Sequence, residues 1–285
     1  MKSEFIKEYP QFYLDKYKIE GSINIDDNPC FNHELSYENF QEDMNTFKDL
    51  LIGAVRNGNK PLTFYKFGDG DFYFLQGVPL GSASPGKRAL SKQYADINLK
   101  EFTSGALLND YYTCEIYPEN RIMFKKVIEK EIDFPAEYGY ALTANRWLTK
   151  TFSGEVGLIG GKEKIKLAKE LMKEKKYQEY LGLEKFEDYI YIPQKFACDD
   201  IEATEKMVAE QLKNSTSKIF LVGIGHVKSA LLHRLKKYRD AVFLDIGSGI
   251  DALAGIIQPT RPFMAGWENF KLNDKEKYKD IDFLA

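Results

Sequence analysis

The chain lacks the cysteine and histidine patterns that build disulfide frameworks or zinc sites. Its three cysteines, Cys30, Cys114 and Cys198, are far apart and odd in number, which fits a reducing, cytoplasmic setting. His33 lies far upstream of His226, and His233 follows seven residues after it, so no zinc spacing exists. No apolar run approaches the roughly 18 residues that span a bilayer. The N-terminal stretch Met1-Lys-Ser-Glu-Phe-Ile-Lys-Glu-Tyr9 carries acidic residues and no apolar core of signal-peptide length. A soluble protein without a transmembrane segment is expected. Positive charge is not in excess either, since the formal net charge is −3, which argues against nucleic acid as the main partner and leaves room for a local basic groove. There is no internal repeat and no low-complexity tract.

What the chain does have is enough apolar material, 44% of 285 residues, for a substantial core. Residues 1–36 mix Phe5, Tyr9, Phe12, Tyr13 and Tyr17 with charges, then pass through a turn-rich patch at Asn24-Ile-Asp-Asp-Asn-Pro29. They are expected to form a peripheral N-terminal helical arm on a single α/β domain over residues 37–285. From Ser36 the spacing of Phe40, Met44, Phe47, Leu51 and Val55 predicts an amphipathic helix ending near Gly58. The segment from Leu90 to Phe152 reads as mostly helical, with short strands allowed at Tyr111–Ile116 and Tyr138–Leu142.

The second half repeats a rhythm of strand, glycine turn and helix. Strands are predicted at Glu155–Ile159, Asp188–Ile192, Ser217–Val222 and Ala241–Ile246, with Gly160-Gly161 as a tight turn. Helices are predicted over Lys164–Lys176, from Asp200 and over Ala230–Leu235, with Asp199 or Asp200 as an N-cap and Ile201, Met207, Val208 and Leu212 as inward positions. Such βαβ units make a Rossmann-like, mostly parallel sheet flanked by helices. Parallel sheets bind ligands outside the carboxyl ends of their strands.

The most informative stretch is Leu62-Thr-Phe-Tyr-Lys-Phe-Gly-Asp-Gly-Asp71. It reads as a buried strand that breaks at Gly68 and presents Asp69 and Asp71, oxygen ligands of the kind Mg²⁺ or Mn²⁺ prefers. The opposing reading is that the two carboxylates cap a helix. Gly223-Ile-Gly225 and Gly247-Ser-Gly249 are further turns whose backbone N–H groups suit a phosphate, although the first lacks the third glycine of a dinucleotide fingerprint. Lys87 and Arg88 end a Gly/Ser/Pro loop and suit either a phosphate clamp or a solvated helix start. Arg261, between Pro259 and Pro262 in the rigid stretch from Gln258 to Pro262, suits a diphosphate or a structural ion pair. His226, Asp245 and Asp251 are candidate bases by position. Each has a structural alternative: a helix-start histidine, a carboxylate holding a neighbouring loop, and an N-cap. Arg146 and Trp147 suit either a nucleobase contact or a buried anchor.

Lys66-Phe-Gly-Asp-Gly-Asp71 resembles the RFGDGE motif of the GT-D class of glycosyltransferases. Val222-Gly-Ile-Gly225 with its helix, and Leu244-Asp-Ile-Gly-Ser248 with Arg261 and Trp267 behind it, are similar to that family's C-terminal half, so the resemblance spans roughly residues 60–270. It implies a Rossmann-like enzyme that moves a sugar from a nucleoside diphosphate donor, such as a UDP-sugar, to a hydroxyl on a glycan, glycoprotein or lipid-linked acceptor. It also implies Mn²⁺ or Mg²⁺ on Asp69 and Asp71, with Gly68, Gly223, Gly225 and Gly247 near the donor. Two positions depart from the motif. Asp71 replaces a glutamate and reaches one methylene less, and Lys66 replaces an arginine and loses its planar fork.

Overall fold

A computed structural model describes residues 40–57, 60–75, 101–115, 118–144, 146–193, 197–198, 200–256 and 270. The expected N-terminal arm, the Lys87-Arg88 loop, and Arg261 with Trp267 lie outside the described residues. Seven strands join one sheet in the order β3-β2-β1-β7-β6-β4-β5. They are β1 Leu62–Phe67, β2 Tyr111–Cys114, β3 Phe134–Pro135, β4 Val156–Gly161, β5 Tyr189–Ile192, β6 Ile219–Gly223 and β7 Val242–Asp245. Every pairing is parallel. The fold is therefore the Rossmann-like α/β architecture that the strand–turn–helix rhythm predicts.

The period of two along each strand sends alternate side chains to two helical layers. Phe64, Leu158, Leu221 and Leu244 face one layer, in which α1 (Phe40–Arg56) buries Met44, Phe47, Leu51 and Val55, with Phe47 edge-on against Phe64 at 5.9 Å. The same layer holds α4 (Ala136–Ala144), α5 (Trp147–Thr151), α6 (Lys162–Leu171), α7 (Lys175–Leu181) and α10 (Gly249–Leu253). Tyr65, Phe67, Ile159, Phe220 and Phe243 face the other layer. That layer is made by α2 (Asp69–Leu75), α3 (Pro118–Ile128), α8 (Ile201–Leu212), α9 (Lys228–Leu231) and the 3₁₀ turns on either side of α9. The helices after β4 and β7 thus lie on one face, and those after β1 and β6 on the other. Diverging exits of this kind open the crevices at which α/β sheets place their sites.

Several local expectations are corrected. Tyr138–Leu142 belongs to α4, which follows β3 directly and buries Tyr138, Ala141 and Leu142 in the core. Gly160 and Gly161 are the last residues of β4, and α6 starts directly at Lys162. The helix predicted over Lys164–Lys176 divides into α6 and α7. Ala230–Leu235 is split between α9 and a 3₁₀ stretch, Leu232–Lys237. Asp200 is the N-cap of α8, its Oδ1 accepting from the Ala203 N–H at 2.8 Å. Met207 is exposed, whereas Thr204 and Ala209 supply buried positions beside Ile201, Val208 and Leu212. Among the described residues, no helix is long and apolar enough to cross a membrane.

Two glycines serve packing between β4, β6 and α10. A Cβ on Gly160 would come within 3.1 Å of Ile250. One on Gly223 would collide with the Ile250 side chain and lie 2.7 Å from the Gly247 carbonyl oxygen. Gly223→Ala should therefore cost about 1–3 kcal/mol, as overpacking of a core does. In urea its midpoint should fall at unchanged m. His233, in the 3₁₀ stretch, is pushed down to about 4 by burial and by the positive charges of Arg234 and Lys237. The unfolded chain takes up that proton near the ordinary value of 6.5 while the folded chain still refuses it. Stability should consequently decline as the pH falls from 6.5 toward 4, and His233→Gln should lack this part of the decline in denaturation curves.

Candidate functional site

The carboxyl ends of β2, β1, β7 and β6 carry two buried polar clusters, one on each face of the sheet. Strand alternation explains the division. Lys66 and Glu115 share the face of Phe64, whereas Tyr65 and Asp245 share the opposite one.

On the first face, the Lys66 ammonium pairs with Glu115 Oε1 at 3.1 Å, with about a tenth or less of either side chain exposed. The Tyr140 hydroxyl donates to the same oxygen at 3.0 Å, and Asn120 Nδ2 donates to Oε2 at 3.2 Å. The ammonium also lies 5.3 Å from the centre of the Tyr140 ring. Glycines make room for this side chain. A Cβ on Gly68 would stand 2.5 Å from Lys66 Nζ, and one on Gly247, at φ +50, would stand 2.6 Å from Lys66 Cε. Two of the predicted phosphate-turn glycines therefore line the path of Lys66.

On the second face, Asp71 is the third residue of α2 and its carboxylate turns back toward the helix start. Oδ2 accepts from the Gly68 N–H at 2.9 Å, the reach-back of a capping box. Oδ1 accepts from the Tyr65 hydroxyl at 2.9 Å. The Lys228 ammonium stands 3.0 Å from Asp71 Oδ2 and 3.2 Å from Asp245 Oδ2, and donates to the Lys66 carbonyl oxygen. Asp245 Oδ1 accepts from the Gly247 N–H at 2.9 Å, and its Oδ2 from the Lys66 N–H at 3.3 Å. Burial pushes the Asp71 carboxyl up, but Lys228, His226, the Gly68 N–H and Lys66 together outweigh it, and the group lies below its ordinary value.

The structure thus brings Gly68, Asp71, Asp245, Gly247 and His226 to one region. His226 is partly exposed in the 3₁₀ turn Gly225–Val227 and acts electrostatically on Asp71. Gly225 is exposed at φ +60 with open space around its Cβ position, so its turn can approach a ligand. Gly223 is filled in by Ile250. Asp251 lies in α10 and is engaged by the buried Lys164 ammonium at 2.7 Å. Arg146 adopts φ 59 and lays its guanidinium 4.6 Å from the centre of the Tyr180 ring, while Trp147 packs edge-on against Phe152. Both are anchors.

The environment of Asp71 does not fit a divalent ion. Both oxygens are engaged, and an ammonium already holds the cationic position. Among the described residues, no group of three or more His, Cys, Asp or Glu is placed to hold a metal. Asp69 is the first residue of α2, and its side chain lies outside the described residues. Sequence reasoning missed Lys228, Glu115 and Tyr140 as parts of the site. The available signals were a lysine inside the apolar run Val227-Lys-Ser-Ala-Leu231 and a glutamate closing the apolar strand β2.

No family model, curated protein or solved structure matches the chain. The site therefore rests on its own geometry. Lys66→Met should leave Glu115 buried without its countercharge and cost about 3–5 kcal/mol. Lys66→Met combined with Glu115→Gln should recover most of that loss in chemical denaturation. Equal stability of Lys66→Met and the parent would show that the pair contributes nothing.

Proposed function

We propose that the chain is a glycosyltransferase that moves a sugar from a nucleoside diphosphate sugar, such as a UDP-sugar, to a hydroxyl of a glycan, glycoprotein or lipid-linked acceptor. One observation carries this reading. The Lys66–Asp71 turn, the Gly223–His226 turn and the Asp245–Ser248 turn are widely separated in sequence, yet they lie at the carboxyl ends of three adjacent strands, β1, β6 and β7. In the reaction the anomeric C–O bond to the diphosphate breaks and a bond to the acceptor oxygen forms. The nucleoside diphosphate leaves, and the hydroxyl proton passes to a base. Asp245 and Asp251 are each held by a buried lysine. Of the three candidate bases, His226, partly exposed beside the open Gly225 turn, takes that role in this reading. Backbone N–H groups of the turn suit the departing charge. Mn²⁺ or Mg²⁺ enters the proposal only through Asp69 and the phosphates of the donor.

A Rossmann-type enzyme that binds a dinucleotide or a methyl donor is less well supported, because Ile250 and the Gly247 carbonyl occupy the space beside Gly223 that such a cofactor would approach. A non-catalytic nucleotide- or glycan-binding module has one observation in its favour, the capping geometry of Asp71. A panel of nucleotide sugars should separate these readings. A donor at 100 times its Kd should stabilise the chain by about 2.7 kcal/mol, and its turnover should release nucleoside diphosphate. His226→Ala should lower turnover on the order of 10²-fold or more while donor affinity changes far less. Binding without any transfer or hydrolysis would favour the module, and stabilisation by none of the donors would remove the transferase reading.

A further inference from the structure

Lys228 combines burial and charge with a position at the carboxyl edge of the sheet, between two of the expected motifs. It opens α9, directly after the glycine turn, and 8% of its side chain is exposed. An ammonium has three donors and no acceptor. Here it meets three oxygens: Asp71 Oδ2 at 3.0 Å, Asp245 Oδ2 at 3.2 Å and the Lys66 carbonyl oxygen. The Tyr65 ring, with its centre 4.8 Å away, gives it an aromatic face as well. Two carboxylates and a backbone carbonyl are the oxygen donors that a hard divalent cation selects. A metal bound to them at its usual distance would lie against the ammonium, and the two positive charges would repel at contact range inside a buried site.

From this arrangement we infer that Lys228 is a resident cation that closes the Asp71–Asp245 pair to Mg²⁺ and Mn²⁺. The second aspartate of Lys66-Phe-Gly-Asp-Gly-Asp71 then holds the turn and does not ligate an ion. The ammonium joins four elements through one point: the end of β1 by its carbonyl, the start of α2 by Asp71, the end of β7 by Asp245, and α9 by the lysine itself. Lys228 is a positioning residue for the glycine turns on either side. The inference deepens the transferase reading by assigning the charge chemistry of its site. Any metal requirement of donor binding passes to residues other than Asp71.

The test uses Mn²⁺ and the full chain. Calorimetry and the electron paramagnetic resonance signal of free Mn²⁺ should give the same affinity, within about twofold, for the parent and Asp71→Asn, with circular dichroism confirming that both are folded. Lys228→Met removes the ammonium and keeps most of its apolar stem. It should gain a Mn²⁺ site at least tenfold tighter than any in the parent, and the gain should vanish when Asp71→Asn is added. A tenfold or greater loss of Mn²⁺ affinity in Asp71→Asn alone would overturn the inference. Should either variant fail to fold, Mn²⁺ soaked into crystals of the parent decides the matter. An anomalous peak between Asp71 and Asp245 overturns the inference, and density for the Lys228 ammonium there supports it. Nucleotide-sugar titration of the parent is read separately. Absence of donor binding removes the transferase proposal and leaves the Mn²⁺ outcomes to decide the role of Lys228.

Discussion

A buried charge is tolerable only when an opposite charge and enough hydrogen bonds replace the water it has lost. At the carboxyl edge of this sheet, Lys228 and Lys66 stand among Asp71, Asp245 and Glu115, with every one of these side chains almost wholly buried. Removing either lysine would strand a carboxylate, so the surrounding turns are committed together. The Lys228 ammonium is the tightest of these commitments, because it also satisfies the Lys66 carbonyl, the last backbone oxygen but one of β1. Chain segments far apart in sequence are in this way held to one point.

Glycine has two different uses at the same edge. At Gly68 and Gly247 the missing Cβ lets the Lys66 side chain run between two turns to reach Glu115. At Gly160 and Gly223 it lets Ile250 of α10 press on the ends of β4 and β6. Gly225 differs from these, being exposed at positive φ with open space around it. A glycine turn at a strand end can therefore admit a neighbouring side chain as readily as a phosphate. Only the atoms beside each one decide which. By that criterion, among the described residues, Gly225 and the adjacent His226 are open to a ligand, while Gly68, Gly223 and Gly247 are filled in by neighbouring side chains.

If the transferase proposal holds, its chemistry falls near the exit of β6, with the buried lysine–carboxylate contacts at the exits of β1 and β7 as its scaffolding. The two carboxylates expected from sequence as candidate bases, Asp245 and Asp251, are each compensated by a lysine that the motif reading did not include, Lys228 and Lys164. His226 keeps partial exposure. The acidic motif itself divides, with Asp71 turned inward to cap α2 and Asp69 standing at the first position of that helix.

The sequence by itself determined the α/β class, the parallel sheet and most of its long strands. Apolar runs bounded by glycine turns and amphipathic helices are local patterns that follow from burial on two faces or on one. It also marked the strand ends at which polar residues collect. It could not show that Tyr138–Leu142 would be helical, because five mostly apolar residues satisfy either period, and burial in the core shared with Ile250 and Leu253 goes with the helical choice. Nor could it show that β4 runs through Gly160-Gly161, whose pairing with β5 and β6 is a tertiary contact. Above all, tertiary structure decided what the aspartates face. Lys228 lies 157 residues beyond Asp71 and 17 before Asp245, a separation no local pattern encodes, and only the closing of β1, β6 and β7 side by side brings its ammonium between them.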